Sequence, residues 1–303
     1  MRTLLFANAI GLSLAAFASY FDVYSHRHFF VGVDPWWNPA HLMLYAGLLI
    51  IAYGVARDRP RGALGNLSVI GVALVLAAGA FNEAWHRVLL FGNPLPEPFP
   101  VEPPHAVLAA GFIVLGFAAL LSPVIDESVV SDVWARIAAS FTGGSLWLMV
   151  AGSAFYVGGA YQTSWALLFA VGVASFSASL FLAYPTGLTR RFGFSTLAYL
   201  WFFLVYYVFF VSLGDGLPLG LIFVLAIDFA LSRERIAGIN PRLVVLPLVA
   251  IAYGLVYYPI LDPRLTVALN EGLIASALGV GVEYSLERSL IKSAARLLPS
   301  PGA

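Results

Sequence analysis

Residues with metal-binding side chains recur in two copies of one pattern. The pattern is F-[D/N]-x-x-x-H-R, then a loop, then P-x-H-x-x-L-x-A-G, and it holds four of the five histidines in the chain. The ligand-type residues are Asp22, His26 and His41 in the first copy, and Asn82, His86 and His105 in the second. Imidazole nitrogens together with carboxylate or amide oxygens bind zinc, copper, iron or nickel ions. The repeated pattern therefore predicts that this region binds a metal.

The spacing of these residues indicates that helices position them. Asp22 precedes His26 by four residues, and Asn82 precedes His86 by four, so each pair lies on one helix face, a turn apart. A proline stands two residues before the third ligand of each copy, where it suits the first turn of a following helix. We therefore expect each copy to be a pair of helices that brings three ligands to one depth and leaves other coordination positions open.

The two predicted sets differ in charge. Because the first set contains a carboxylate, it should hold a divalent ion more tightly than the second, whose Asn82 amide is a weaker donor. Glu83 could strengthen the second set. His28 lies two residues after His26 and points to a different helix face, so it is a weaker candidate for the first set. Since the chain has no cysteine, thiolate ligands and disulfides are excluded.

The composition is that of an integral membrane protein. Hydrophobic residues make up 60% of the 303 residues and charged residues 11%, whereas soluble domains contain about 25% charged residues. We expect contact with membrane lipid and no nucleic-acid partner. The apolar run after Arg2 continues past the length of a signal peptide without a small-residue cleavage site, so it is interpreted as a retained first span.

Apolar segments of about 20 residues, the length that crosses a bilayer, predict the fold class. We expect an all-α polytopic membrane helix bundle of about ten transmembrane helices. The predicted spans are 3–25, 41–56, 64–90, 105–122, 134–157, 163–184, 193–213, 217–232, 243–260 and 268–286.

Basic residues predict the orientation, because cytoplasmic loops carry an excess of Lys and Arg. With both termini in the cytoplasm, 13 of the 16 basic residues lie on the cytoplasmic side, and Arg27, Arg87 and Arg264 lie outside. The histidine pattern then falls on the extracytoplasmic side of the cell membrane. Asp228 and Glu283 lie toward the cytoplasmic ends of their spans, where ion pairs with nearby arginines are expected.

The two copies of the pattern indicate a duplicated unit. The first two ligand positions recur after 60 residues and the third after 64. Since one unit contains two spans, both copies face the same way, as in parallel repeats related by an axis along the membrane normal. We thus expect residues 1–122 to form a metal-binding region of two parallel helix-hairpin repeats, and residues 123–303 to form a six-helix membrane scaffold region.

The order Asp-x-x-x-His with a second histidine, then Asn-x-x-x-His with another, resembles the copper sites of the C subunit of particulate methane and ammonia monooxygenases. The resemblance covers about residues 15–115 and includes the Pro-x-His stretch that ends at His41. It implies that Asp22, His26 and His41 hold a catalytic copper ion, and that the second set holds another. Zinc and iron are alternative metals.

The same resemblance implies a membrane-embedded, copper-binding oxidoreductase of the monooxygenase type. Copper would activate dioxygen near the outer membrane surface to oxidise a small apolar or ammonia-like substrate. A quinol or other electron donor and the partner subunits of an oxidoreductase complex are implied as well.

Three other interpretations of the pattern stay open. The chain could handle or transport metal ions, in which case polar groups should continue inward through the first four spans. The polar residues present there are Asn8, Ser13, Ser19 and Ser68. The chain could instead be a haem b electron-transfer subunit with His26 and His86 as axial ligands. It could also be a structural membrane subunit whose histidines only cap helices.

Overall fold

The computed structural model describes residues 2–28, 37–60, 62–85, 87, 103–125, 132–161, 181, 192–209 and 217–233. Within these ranges every regular element is a helix, which confirms the all-α class for this part of the chain. The helices are α1 (Arg2–His28), α2 (Pro39–Asp58), α3 (Gly62–Ala84), α4 (Pro103–Ile125), α5 (Val133–Tyr161), α6 (Phe194–Phe209) and α7 (Leu217–Leu231).

These helices coincide with seven of the ten predicted spans. The first four, α1 to α4, are long and apolar enough to cross a membrane. The predicted spans 163–184, 243–260 and 268–286 lie outside the described residues apart from Phe181, so the count of ten stays a prediction. Phe181 is buried, and its ring packs against that of Phe117 in α4 with 5.4 Å between the centroids.

Apolar side chains also cover outward faces of these helices. Leu42, Leu49 and Tyr53 are exposed on α2, and Val69 and Leu76 are exposed on α3. Large continuous apolar surfaces are rare on soluble monomers and mark contact with a membrane or a partner. The exposed faces of α2 and α3 therefore favour contact with membrane lipid.

Two glycines allow α1 and α2 to pack backbone against backbone. A Cβ atom on Gly11 would lie 2.5 Å from the carbonyl oxygen of Gly47, and one on Gly47 would lie 2.6 Å from the carbonyl oxygen of Gly11. Neither position accepts a side chain unless the helices separate. Small residues at such crossings are common where membrane helices pack closely.

A second glycine pair joins α3 to α4. A Cβ atom on Gly71 would lie 2.6 Å from Leu115 Cγ, and one on Gly111 would lie 2.7 Å from Val75 Cγ2. These glycines follow those of the first crossing by 60 and 64 positions, the same separations as between the two predicted ligand sets. The two hairpins therefore pack through glycines at corresponding positions.

Charged residues fix the helix ends at one end of the bundle. The Asp58 carboxylate at the end of α2 accepts the backbone N–H of Leu4 over 2.8 Å. Arg2 forms an ion pair with Asp132, whose Oδ1 also accepts the backbone N–H of Trp134 over 2.9 Å. Since N–H groups in a first helical turn have no acceptor within the helix, these carboxylates satisfy them.

Contacts at this end show how the helices run. Leu4, Leu64 and Ala118 pack together, and Arg136 lies over the ring of Phe194 at 5.5 Å. The starts of α1, α3, α5 and α6 and the last turns of α2 and α4 therefore lie together, at what we call the arginine end. The opposite end, called the histidine end, holds the last turns of α1 and α3 and the first turns of α2 and α4.

Helix α1 lies at the centre of the described bundle. It packs against α2, α4, α5 and α6. The buried core includes Leu12 of α1, Leu115 of α4, Trp147 of α5 and Phe202 of α6, so it joins helices from both predicted regions. The predicted boundary at residue 122 falls inside α4, and the division into two regions stays a prediction.

A buried carboxylate connects α7 to the start of α6. Asp228 is fully buried and accepts the backbone N–H groups of Ser195 over 3.0 Å and of Thr196 over 2.8 Å, together with the Thr196 hydroxyl. The helix dipole favours a negative charge at this position. The sequence predicts an ion pair for Asp228, and the structure adds a helix cap that the sequence did not reveal.

The substitution Asp228→Ala is expected to destabilise the protein by about 2–3 kcal/mol, because two buried N–H groups lose a charged acceptor. Thermal unfolding in detergent, followed by tryptophan fluorescence, measures the change. Asp228→Asn keeps an acceptor oxygen and should lose less. An unfolding temperature of Asp228→Ala equal to that of the parent would contradict the capping role.

Candidate metal site

Asp22 and His41 meet at the histidine end, on the two helices of the first hairpin. His41 Nε2 lies 3.5 Å from Asp22 Oδ1, and each side chain is 17% exposed. Asp22 lies near the end of α1, and His41 lies in the first turn of α2. The structure thus brings together two of the three residues in the first predicted set.

The start of α2 sets the position of His41. Asn38 caps the helix, since its side-chain oxygen accepts the N–H of Ala40 over 3.0 Å and its backbone oxygen accepts that of Leu42 over 3.0 Å. Pro39 occupies the first helical position, as the sequence predicts. Because Asn38 is itself buried, the first turn of α2 is held against the bundle and His41 is held near α1.

The distance between Asp22 and His41 suits two ligands of one ion. Nitrogen and oxygen ligands lie about 2.0–2.2 Å from an ion such as zinc, so two tetrahedral ligands are about 3.4 Å apart. The observed 3.5 Å requires almost no movement. His26 lies one turn after Asp22 in α1, but its side chain is outside the described residues, and so is that of His28.

Asn82 presents a buried oxygen near the end of α3. Its Oδ1 has no hydrogen-bond partner among the residues that the structure describes. A buried polar atom without a partner costs about 1–3 kcal/mol, so a donor or a cation beside it would stabilise the fold. The buried Asn82 oxygen is therefore open to a hydrogen-bond donor or a cation, and metal binding by the second set stays a prediction.

The other residues of the second set are more open. His105 lies in the first turn of α4 and is exposed, whereas His86 is outside the described residues. Glu83 forms an ion pair with Arg87 four residues later and is 45% exposed. Its predicted role in the second ligand set stays a prediction.

Among the described side chains, no group of three or more His, Asp or Glu residues lies close enough to hold one ion. The side chains of His26 and His86, which would complete the two predicted sets, lie outside the described residues. The structure therefore shows one carboxylate–imidazole pair of the first set, and the complete coordination stays a prediction.

Three of the four polar residues that the sequence offers for a transport path donate to backbone oxygens of their own helix. The pairs are Asn8 with Leu4, Ser19 with Ala15 and Ser68 with Leu64, each at 2.9 Å. These bonds occupy both serine hydroxyls and the amide nitrogen of Asn8 within their own helix. This arrangement weighs against an ion path through α1 to α4.

The fourth, Ser13, contacts residues that sequence reasoning missed. Its Oγ lies 3.2 Å from Ser145 Oγ of α5, and Trp201 Nε1 of α6 donates to Ser145 Oγ over 2.9 Å. In the sequence of α5, the run Thr-Gly-Gly-Ser at 142–145 indicates a polar position in a mostly apolar helix. Its partners could not be predicted, because they depend on how α5 and α6 pack against α1.

Comparisons of the chain with protein-family models, with curated proteins and with solved structures found no match. The function must therefore be inferred from the site itself.

Proposed function

We propose that this chain is a cell-membrane protein that binds copper at its histidine end and acts as a monooxygenase-type oxidoreductase. The observation that supports the proposal most is the 3.5 Å approach of His41 Nε2 to Asp22 Oδ1. A carboxylate and an imidazole lie together at the ends of two apolar helices, and both are largely shielded from solvent. Ionisable groups in membrane segments are rare and mark functional sites by default.

In this proposal Asp22, His26 and His41 hold the first ion. The Asp22 carboxylate neutralises part of the ion's charge in an apolar environment, and the two imidazoles donate nitrogen ligands. Asn38, by fixing the first turn of α2, holds His41 at the correct depth. When bound, copper would supply the redox chemistry towards dioxygen that the resemblance to the monooxygenase C subunit implies. The chain would need a quinol or other electron donor and a small substrate.

A second ion would be held by Asn82, His86 and His105, with Glu83 nearby. The buried Asn82 oxygen supports this assignment. The glycine crossings of the two hairpins, at the same 60- and 64-residue separations as the ligands, support a parallel repeat. The second set has the Asn82 amide where the first set has the Asp22 carboxylate, and His105 is exposed. The second ion would therefore be held more weakly than the first.

Ten spans with both termini in the cytoplasm are part of the proposal. The arginine end carries Arg2, Arg57, Arg59, Arg136 and Arg233. The histidine end carries Arg27 and Arg87. Helices α5 and α6 both start at the arginine end, and this common direction supports the predicted sixth span between them. The excess of arginine supports a cytoplasmic position for the arginine end and an extracytoplasmic position for the metal site.

Metal analysis of protein purified without added metal tests this proposal. We expect about one to two copper ions per chain, and an electron paramagnetic resonance signal of Cu(II) with hyperfine splitting from imidazole nitrogen. A Soret band in the visible spectrum would favour the haem b interpretation instead. Zinc without copper would favour metal handling, and protein free of any metal would overturn the proposal.

A further inference from the structure

A cluster of polar side chains lies halfway along the bundle, where α1, α5 and α6 meet. Ser13 Oγ, Ser145 Oγ and Trp201 Nε1 form a chain of contacts of 3.2 Å and 2.9 Å, which we call the serine cluster. Ser13 lies between Arg2 and Asp22 on α1. At about 1.5 Å per residue it is about 16 Å from the first and about 14 Å from the second. The cluster therefore lies near the centre of the proposed bilayer.

Thr142 extends this cluster towards the arginine end. It is fully buried, and its hydroxyl has no hydrogen-bond partner among the described residues. Thr142 precedes Ser145 by three residues, so both lie on one face of α5 with their Cβ atoms about 5–6 Å apart. The Thr142 hydroxyl makes no hydrogen bond to Ser145, and one water molecule between the two side chains can bond to both.

Tyr20 makes a separate polar contact on the histidine-end side of the cluster. Its hydroxyl donates to the backbone oxygen of Leu148 over 3.2 Å. Leu148 is one turn beyond Ser145 on α5, and Tyr20 is two residues before Asp22 on α1. This contact therefore lies between the serine cluster and the candidate metal site along the bundle.

A further buried oxygen lies nearer the arginine end. Asn8 is fully buried, and its Oδ1 has no hydrogen-bond partner in the described part of the chain. Two such orphan groups, Asn8 and Thr142, are therefore buried in helices that pack against each other. Buried polar groups are almost always satisfied by protein or by ordered water. Because neither group has a protein partner among the described residues, we expect an ordered water molecule beside each of them.

We propose that the interface of α1, α5 and α6 is hydrated near the centre of the bilayer: it binds internal water that joins the buried Thr142 hydroxyl to the serine cluster. The inference goes beyond the proposed function and does not require a metal.

The competing explanation is a dry contact, in which serine and threonine hydroxyls only hold membrane helices together. The two explanations differ at Thr142. In a dry interface its hydroxyl is an uncompensated polar group, so Thr142→Val would raise the unfolding temperature. In a hydrated interface the hydroxyl binds water, so Thr142→Val would leave that temperature unchanged or lower it.

Hydrogen exchange of the tryptophan indole protons tests this hydration directly. Protein labelled with ¹⁵N-tryptophan is moved into D₂O in lipid nanodiscs, and the Trp201 signal is assigned from Trp201→Phe. We expect the Trp201 indole proton to exchange at least about tenfold faster than that of Trp147, which is fully buried and lies 3.8 Å from the Phe202 ring centroid. Trp201 exchange no faster than Trp147 exchange would overturn the proposal without any Thr142 variant.

A matched pair of variants then connects the exchange to Thr142. Thr142→Val should slow Trp201 exchange about tenfold, and Thr142→Ser, which keeps the hydroxyl, should leave it near the parent rate. Equal rates in both variants, or a higher unfolding temperature of Thr142→Val, would overturn the proposal. Copper content measured on the same samples should not change, so failure of the proposed hydration and failure of the metal site are distinguished.

Discussion

Gly11→Ala is expected to destabilise the protein by about 3 kcal/mol or more, which is at the upper end for overpacking in a core. The new Cβ would lie 2.5 Å from the carbonyl oxygen of Gly47 and 2.5 Å from Ile51 Cγ1. A backbone oxygen cannot rotate away as a side chain can, so α1 and α2 would have to separate. Since Asp22 and His41 are on these two helices, the candidate site would open as well.

Thermal unfolding in detergent measures this effect, and Gly79→Ala is the matched control. Gly79 also lies within a repeat helix, but a Cβ there would meet no atom within 4 Å. Gly79→Ala should therefore stabilise α3 slightly, by about 0.5–1 kcal/mol, because alanine is the better helix former. If Gly11→Ala and Gly79→Ala changed stability alike, the close crossing of α1 and α2 would be wrong.

The second hairpin allows a sharper comparison. At Gly71 the nearest atoms belong to the Leu115 side chain, at 2.6 and 2.8 Å, rather than to the backbone. Leu115→Val should therefore relieve part of the cost of Gly71→Ala, and a double-mutant cycle would show the coupling. The corresponding change Ile51→Val should relieve little of the cost of Gly11→Ala, because the Gly47 oxygen stays in place.

Much of this architecture could be predicted from the sequence because it depends on local patterns. Apolar runs of membrane length predicted the helices, and the prolines before the histidines predicted where α2 and α4 begin, at Pro39 and Pro103. The order of the ligands predicted that Asp22 and His41 would meet, and they do. These features follow from spacing along one helix or from a short connection between two.

Contacts between distant helices could not be predicted in the same way. Asp228 caps α6 from 33 positions away, and Ser13 contacts Ser145 from 132 positions away. Which face of an all-apolar helix meets which neighbour depends on packing, and periodicity gives no guide when every face is apolar. The close helix crossings at the glycines could not be predicted for the same reason. In the sequence, Gly47 and Gly111 are only matching positions of the repeat, and nothing shows which helix they contact.

Removal of one proposed ligand from the first set is expected to have the other large effect. Asp22→Ala or His41→Ala should weaken copper binding by at least about a hundredfold, because even loss of an outer-shell partner costs 10–100-fold in metal affinity. Titration against a chelator of known affinity measures the change. Ser25→Ala is the matched control, because the Ser25 hydroxyl donates to the backbone oxygen of Asp22 over 2.8 Å and not to the carboxylate. Copper affinity lost equally in Ser25→Ala would point to a disturbed helix end rather than to a lost ligand.

Exchanging the oxygen donors of the two sets decides whether both sets bind metal by the same chemistry. Asp22→Asn should weaken the first site towards the affinity of the second, while Asn82→Asp should strengthen the second by about tenfold, since a carboxylate attracts a divalent ion more than an amide does. The Asn82 oxygen is buried and lacks a partner among the described residues, so a carboxylate there would be destabilised unless a cation joined it. Asn82→Asp should therefore lower the unfolding temperature of metal-free protein and raise it again when copper is added. A variant that is destabilised and not rescued by copper would contradict a metal-binding role for Asn82.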